Sequence, residues 1–296
     1  MIATDVHDDV EPVAYAPLAE TRPFYWCVRR ELWENRYLYI APLAVAAVVL
    51  FATFVMTVTT PMRMRGQDPA RVAAAVVRPL QTAPAPIMFC TLVVGLFYCL
   101  DALNGERRDR SILFWKSLPV SDRTTVLAKA GIPLVLLPAF AYVLSVLAQL
   151  VLLFASSLTI LSPTIGRRFF EGLLIMFYGL AVHALWFAPV YGWLLLISAW
   201  SRRSVLLWAV LPLLAVSAVE RILFGSSLFM AMLQYRMTGA MREAFTFSRT
   251  TGGNIDRLTQ LTPANFFARP GLWLGLLFAA ACIAAAIRLR RRREPV

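Results

Sequence analysis

Six stretches of the chain are almost continuously apolar: residues 37–58, 86–103, 132–158, 172–200, 204–224 and 271–287. A helix needs about 20 predominantly apolar residues to cross the hydrocarbon core, and the pattern predicts about six such spans. The runs are unbroken rather than alternating at every second residue, which argues against the strands of a membrane barrel. The expected fold is all-α and integral to the membrane. Between the runs, polar residues mark smaller elements. Residues 21–36, TRPFYWCVRRELWENR, mix Phe24, Trp26, Cys27, Trp33 and the following Tyr37 with Arg29, Arg30, Glu31 and Glu34. That mixture predicts an amphipathic helix in the membrane interface, with its rings at headgroup depth, leading into the first span. In the connection at 59–85, Asp68 caps, Pro69 starts and Pro79 ends a short predicted surface helix. The long connection at 225–270 begins apolar but is punctuated by Arg236 and Arg242, then turns at TTGGN, 250–254. It predicts a re-entrant or interfacial segment rather than a seventh crossing.

Composition changes this picture little. A chain that is 59% hydrophobic with mean hydropathy +0.65 is not an ordinary soluble domain. Residues 1–20 are acidic and predict a flexible tail, and residues 21–296 a single transmembrane domain. The first 35 residues have neither a basic start nor an apolar core, so the reading is of no cleaved signal peptide, with the first span as its own address. Cys27, Cys90, Cys99 and Cys282 lie in or beside apolar runs without metal spacing, and they read as small buried side chains rather than as a disulfide or metal framework.

Charge sets the orientation. The net charge is +12, but in a membrane protein the placement of Lys and Arg matters more than their sum. With a cytoplasmic N-terminus, 17 basic residues fall inside and 12 outside, six of the latter being Arg221 and the five in the long connection that counts weakly. Both termini are expected in the cytoplasm, in a multi-pass protein of the cell inner membrane. The closing RLRRRREPV reads as an anchor on anionic lipid rather than as a nucleic-acid arm.

The densest charge lies between the second and third runs, at 104–129, NGERRDRSILFWKSLPVSDRTTVLAK, which holds nine charged residues and both lysines, Lys116 and Lys129. Charge at this density is costly in hydrocarbon, so the segment sits in water or at the headgroups. A first helix starts at Asn104, with Glu106 near the positive end of its dipole, and runs to about Ser117. Pro119 breaks it, and Ser121 or Asp122 caps a second helix that continues through Val126 and Lys129 toward the third span. Ile112, Leu113, Phe114, Trp115 and Leu118 supply an apolar surface that a mere connector does not need.

A Glu-Arg start at Glu106 and Arg107, and a Leu-Pro-Val-Ser finish at Leu118, Pro119, Val120 and Ser121, resemble the loop after the second span in type-two exporter permeases of the ATP-binding-cassette superfamily. The chain departs from that pattern at Arg110, where relatives often carry glycine. The resemblance implies a permease subunit whose loop is a coupling element docking on a separate cytoplasmic ATPase, through Glu106, Arg107, Arg108, Arg110, Ile112, Leu113, Leu118, Pro119, Ser121 and Lys129. It also implies a second permease copy or paralogue. The chain has no GxxxxGK[ST], so ATP and Mg belong to the partner, and no cofactor is expected in this chain.

Other candidates carry less. Asp101 is placed to pair with Arg107 or Arg108 at the membrane boundary, with an intramembrane proton site as the sharper alternative. His183 reads as a packed or cavity-lining side chain. Glu220 and Arg221, at the far end of the fifth span, are either an exit gate or a self-satisfied, snorkelling pair. Met230, Met232, Met237 and Met241 form an adaptable apolar surface. GxSxG, HExxH, DxD and CxxC are all absent, which disfavours an enzyme. Besides transport, an integral-membrane anchor or assembly factor fits the same pattern.

Overall fold

The computed structural model describes residues 21–63, 66, 82–109, 120–157, 163–246, 255 and 257–292. The predicted helix at 68–79, the TTGGN turn and the acidic tail lie outside these residues. The described residues are helical with no strand, apart from one isolated bridge between Phe245 and Leu261. Six of the helices are long and apolar enough to cross a membrane, so the chain is an all-α membrane protein.

In chain order, α1 (Thr21–Glu34) precedes the first span, α2 (Tyr37–Arg63). The second, α3 (Pro84–Asp101), is followed by a one-turn helix, α4 (Asn104–Arg108). The third span is a composite rod: α5 (Asp122–Gly131), a π turn at Ile132–Leu136, and α6 (Leu137–Ser157). Pro133 sits in the first turn of the π segment, where its missing N–H and fixed φ locally widen the helix instead of ending it. The fourth span, α7 (Pro163–Trp200), is 38 residues long and starts nine residues before the apolar run at 172. Its extra turns carry an Arg167–Glu171 pair at 2.8 Å, one helical turn apart, which suits a helix projecting beyond the hydrocarbon. The fifth, α8 (Val205–Phe224), leads into α9 (Leu228–Thr238), α10 (Ala240–Ala244) and α11 (Pro263–Ala268). The last, α12 (Pro270–Arg292), carries its helix well into the arginine tail.

The centre of the bundle is α7. It packs most extensively on α12, and α3 and α6 flank it. Closeness is set by glycine: a Cβ at Gly192 would stand 3.1 Å from the Ala279 backbone, so only a bare α-carbon lets these two helices meet there. Trp186 and Tyr191 of α7 and Tyr98 of α3 are the largest apolar-bodied side chains excluded from solvent. By contrast, α8 buries only Val205 and Ala209 and presents apolar residues outward around most of its circumference.

The helix α1 is amphipathic in an inverted sense. Its rings face out, with Tyr25, Trp26 and Trp33 all exposed and Arg29 lying over Trp26 and Trp33 at 5.1 and 4.6 Å, while Glu31 faces the bundle at 2% exposure. Aromatic rings outward suit a headgroup environment. A charged residue facing inward requires partners there.

Gly192→Leu should separate α7 from α12 and lower stability by about 1–3 kcal/mol, the usual cost of overpacking a close contact. Thermal unfolding in detergent checks this, with Gly172→Leu, which has open space around its α-carbon, as the neutral control.

Candidate functional site

Six ionised side chains from four elements meet at one end of the bundle. Glu31 and Arg30 come from α1, Glu106 from the first turn of α4, Asp122 and Lys129 from the two ends of α5, and Arg290 from the last turns of α12. Lys129 Nζ lies 2.7 Å from Glu31 Oε1 and 3.2 Å from Glu106 Oε1. Arg290 donates Nη1 to Glu106 Oε2 at 2.6 Å and Nε to Asp122 Oδ1 at 3.0 Å. Arg30 pairs with Glu31 at 2.9 Å and also with Glu106. Tyr98 donates its hydroxyl to Glu31 Oε2 at 2.8 Å, linking α3 to the cluster.

Burial makes this arrangement consequential. Lys129 and Glu31 are 2% exposed, Glu106 7% and Arg290 8%. Desolvating a single charge costs several kcal/mol, and the attraction between charges repays that only when each has good partners. Here three carboxylates face three cations, and each of Glu31, Glu106, Lys129 and Arg290 has at least two partners. Burial alone would lower the Arg30 pKa, but the carboxylates of Glu31, Glu106 and Glu34 more than reverse this and hold the guanidinium above its ordinary value. Cations already occupy these carboxylates. Among the described residues no group of three His, Cys, Asp or Glu stands ready for a metal.

A second set of bonds ties the same loop to α7. Arg107 donates to the Ser198 and Ser201 carbonyls, the latter at 2.9 Å, and so satisfies acceptors that the end of α7 leaves open. Ser198 Oγ in turn accepts from the Leu103 and Asn104 amides at 3.1 and 3.0 Å. The Arg30–Glu106, Glu106–Arg290 and Arg107–Ser201 contacts together fix a topological fact. The segment before span one, the loop after span two, the turn after span four and the tail after span six share one end of the bundle.

Several sequence expectations change here. Glu106 and Lys129, read as surface groups offered to a partner, are buried and spent on one another and on Arg30, Glu31 and Arg290. The helix from Asn104 ends at Arg108, and Asp109 leaves it in a turn, so it does not run through 109 toward Ser117. Ser121 does cap α5, accepting from the Thr124 amide at 3.1 Å. Arg108 is exposed and makes only loose contacts, 3.8 Å to Asp101 and 3.3 Å to Asp109. Arg110, Ile112, Leu113, Phe114, Trp115, Leu118 and Pro119 lie outside the described residues.

At the other end, Glu220 and Arg221 do not pair with each other. The Glu220 carboxylate accepts from Ser226 Oγ and the Leu228 and Phe229 amides at 2.7, 2.7 and 2.9 Å, which caps α9 from a preceding helix, while Arg221 is exposed. His183 packs on Phe187, rings 4.7 Å apart, with Nε2 3.3 Å from the Tyr191 hydroxyl.

Sequence reasoning passed over Glu31, Tyr98 and Arg290. For Arg290 a signal existed: it continues the buried face of α12 formed by Ala279, Cys282 and Ala286, at spacings of three and four residues. An arginine in phase with a small-residue stripe is aimed at the bundle, unlike Arg291 and Arg292.

The chain matches no family model, no curated protein and no solved structure.

Glu106→Ala leaves Arg290 with Asp122 alone and weakens the hold on Lys129 and Arg30, so it should cost about 3–5 kcal/mol, as removal of one partner from a buried ion pair does. Arg290→Met should cost a similar amount. Because the two share one interaction, the double variant should lose clearly less than the sum, which a thermal or denaturant double-mutant cycle measures. Additive losses would mean that the pair does not interact.

Proposed function

We propose that the chain is the transmembrane permease subunit of an ATP-driven exporter of the ATP-binding-cassette type. It would work with a second permease copy or paralogue and with a separate cytoplasmic ATPase that supplies ATP and Mg. The observation that carries this reading is the placement of the loop between spans two and three. Charges at both ends of the loop are locked to α1 and α12, and Arg107 to the end of α7. A connector needs none of this; an element that receives force does.

The path of that force follows from the bonds. Lys129 sits in the last turn of α5, which runs through the π turn into the third span without a break. A displacement of the loop therefore moves the third span directly and, through Glu106 and Arg290, the last span. Such rigid-body motion is how helices switch access to a site between two membrane faces. The nearly bare apolar surface of α8 suits a bilayer and a second permease copy. An apolar lining would suit a hydrophobic or amphiphilic substrate, an argument from fold type rather than from a site.

In this reading the cluster end, with its share of basic residues, faces the cytoplasm of the inner membrane, as the positive-inside rule requires. Thiol labelling from outside intact cells should reach a cysteine placed at Arg71 but not Arg291→Cys. Labelling at 291 would reverse the orientation.

The functional test is co-purification. The chain should bring down an ATPase in fixed stoichiometry whose turnover responds to a transported compound; a partner without ATP turnover would favour an anchor or assembly factor. Arg108→Glu alters the loop at an exposed side chain outside the buried cluster, and Leu118→Asp alters the apolar surface read from the sequence. Each should reduce partner binding and coupled turnover severely, and Arg108→Glu should leave thermal stability within about 0.5 kcal/mol, as for surface changes generally. Full coupling in both variants would remove the loop from the mechanism.

A further inference from the structure

At the end of the bundle opposite the charge cluster, the eleven-residue helix α9 has no buried residue. Apolar packing therefore contributes little to its hold on the bundle. Its N-terminus is tied to α8 by the Glu220 cap, and what holds the rest of it on the bundle is Arg236 with Trp186 of α7. Trp186 donates Nε1 to the Arg236 carbonyl at 2.6 Å, and its ring lies 4.6 Å from the Arg236 guanidinium carbon, with the Tyr235 ring edge-on at 5.6 Å. The guanidinium extends to α12, where Nη1 donates to the Gly271 carbonyl at 3.2 Å.

The other nitrogen, Nη2, is buried without a hydrogen-bond partner, in a slot that exists because residue 275 is glycine. A Cβ there would overlap Nη2 and press on Pro189. Among the described residues no carboxylate pairs with this cation: Glu243, on the same outer segment, already engages Arg269 and the Tyr235 hydroxyl, both at 2.6 Å. One ring and one carbonyl oppose the desolvation of a full charge, and burial pulls the Arg236 pKa below its ordinary value. Glycines flank the helix. Gly225 takes φ +62, a left-handed conformation, and Gly239 lies so close under the Tyr235 carbonyl that a side chain there would strike it.

We propose that α9 is a lid hinged at Gly225 and Gly239, and that Arg236 is its latch, closed when the guanidinium enters the slot between Trp186 and Gly275 and open when it withdraws to water. Withdrawal restores hydration to Nη2 at the expense of one ring contact and one carbonyl. Beneath the lid lies Trp186, which packs on Phe266 and belongs with Phe266 and Leu272 to one buried apolar cluster, each at most 1% exposed. Opening would turn this apolar floor toward the outer interface. The inference stands without the transport reading, because lid and latch belong to one chain.

The test uses the purified full chain in detergent, with Cys27, Cys90, Cys99 and Cys282 replaced by alanine and Leu272→Cys as reporter, reading the rate of maleimide modification. Arg236→Ala should raise that rate about tenfold or more, the scale of a lost cation–π contact together with its hydrogen bond. Gly275→Ala should do the same with Arg236 intact, because the new methyl evicts Nη2, the mobile end of a flexible side chain. The double variant should be no faster than the faster single one. A second reporter, Ala141→Cys on α6, buried at 0% exposure, should stay unreactive throughout. An unchanged rate at 272 in either single variant overturns the latch. An equal rise at 141 also overturns it, since Arg236 would then hold the whole bundle rather than a lid.

Discussion

Glu106 has two carboxylate oxygens, and three cations from three different elements share them: Arg30 from α1, Lys129 from α5 and Arg290 from α12. A carboxylate this deeply buried is tolerable only while its partners are in place, and each partner is tolerable only while Glu106 or its neighbour Glu31 is. The constraint is therefore mutual. It decides which chain ends meet, draws α1 against the bundle, and fixes where the third and last spans stand relative to each other. Apolar contacts tolerate sliding; hydrogen-bonded ion pairs with defined donors and acceptors do not. A cluster of this kind adds little net stability over well-packed apolar residues of similar volume. Its physical distinction is that it sets position.

The two ends of the bundle are built on opposite principles. At the cluster end every buried charge is compensated by opposite charge, and four elements are tied in several directions. At the other end the described connections are mainly helix caps, a bridge between Phe245 and Leu261, the ion pair Arg269–Glu243, and one guanidinium against one indole. Local opening free energy follows the number and quality of such ties, so the second end is the softer one. Between them, α7 and α12 touch through Gly192 at near-backbone distance, which makes that pair a stiff axis.

Much of the fold was legible because hydrocarbon leaves few choices. Any run of about 20 apolar residues must pair its backbone groups internally, so spans follow from length. Helix starts set by local chemistry were legible too, as at Ser121. Where the sequence misled, the missing information was distant. Glu106 is visibly a charged residue at a helix start, but its partners are 76 and 184 positions away, and nothing local says that Arg30 and Arg290 will reach it. The natural reading of a charged loop as solvent-facing therefore gave Glu106 and Lys129 the wrong direction. Glu220 misled for a related reason. It looks like one half of a pair with Arg221, yet its oxygens cap a helix that begins eight residues later and whose own cap position, Ser227, makes no side-chain cap bond.

The composite third span connects these observations. A charged helix placed directly at the base of a span usually needs a loop between them, because the headgroup boundary separates their environments. Here the helix is continuous, with the change accommodated by a π turn at Ile132–Leu136 and by burial of Lys129 against Glu31 and Glu106 instead of exposure to lipid. The wider turn is the weakest stretch in the rod's hydrogen-bond ladder, since Pro133 within it and Pro138 just after it both lack a donor. At α5 the rod thus has a stiff ionic attachment to α1 and α12 on one side and the π turn on the other. In the proposed permease reading, a displacement of the loop would reach α12 through these ion pairs, while the π turn would let α6 reorient against α2 and α3.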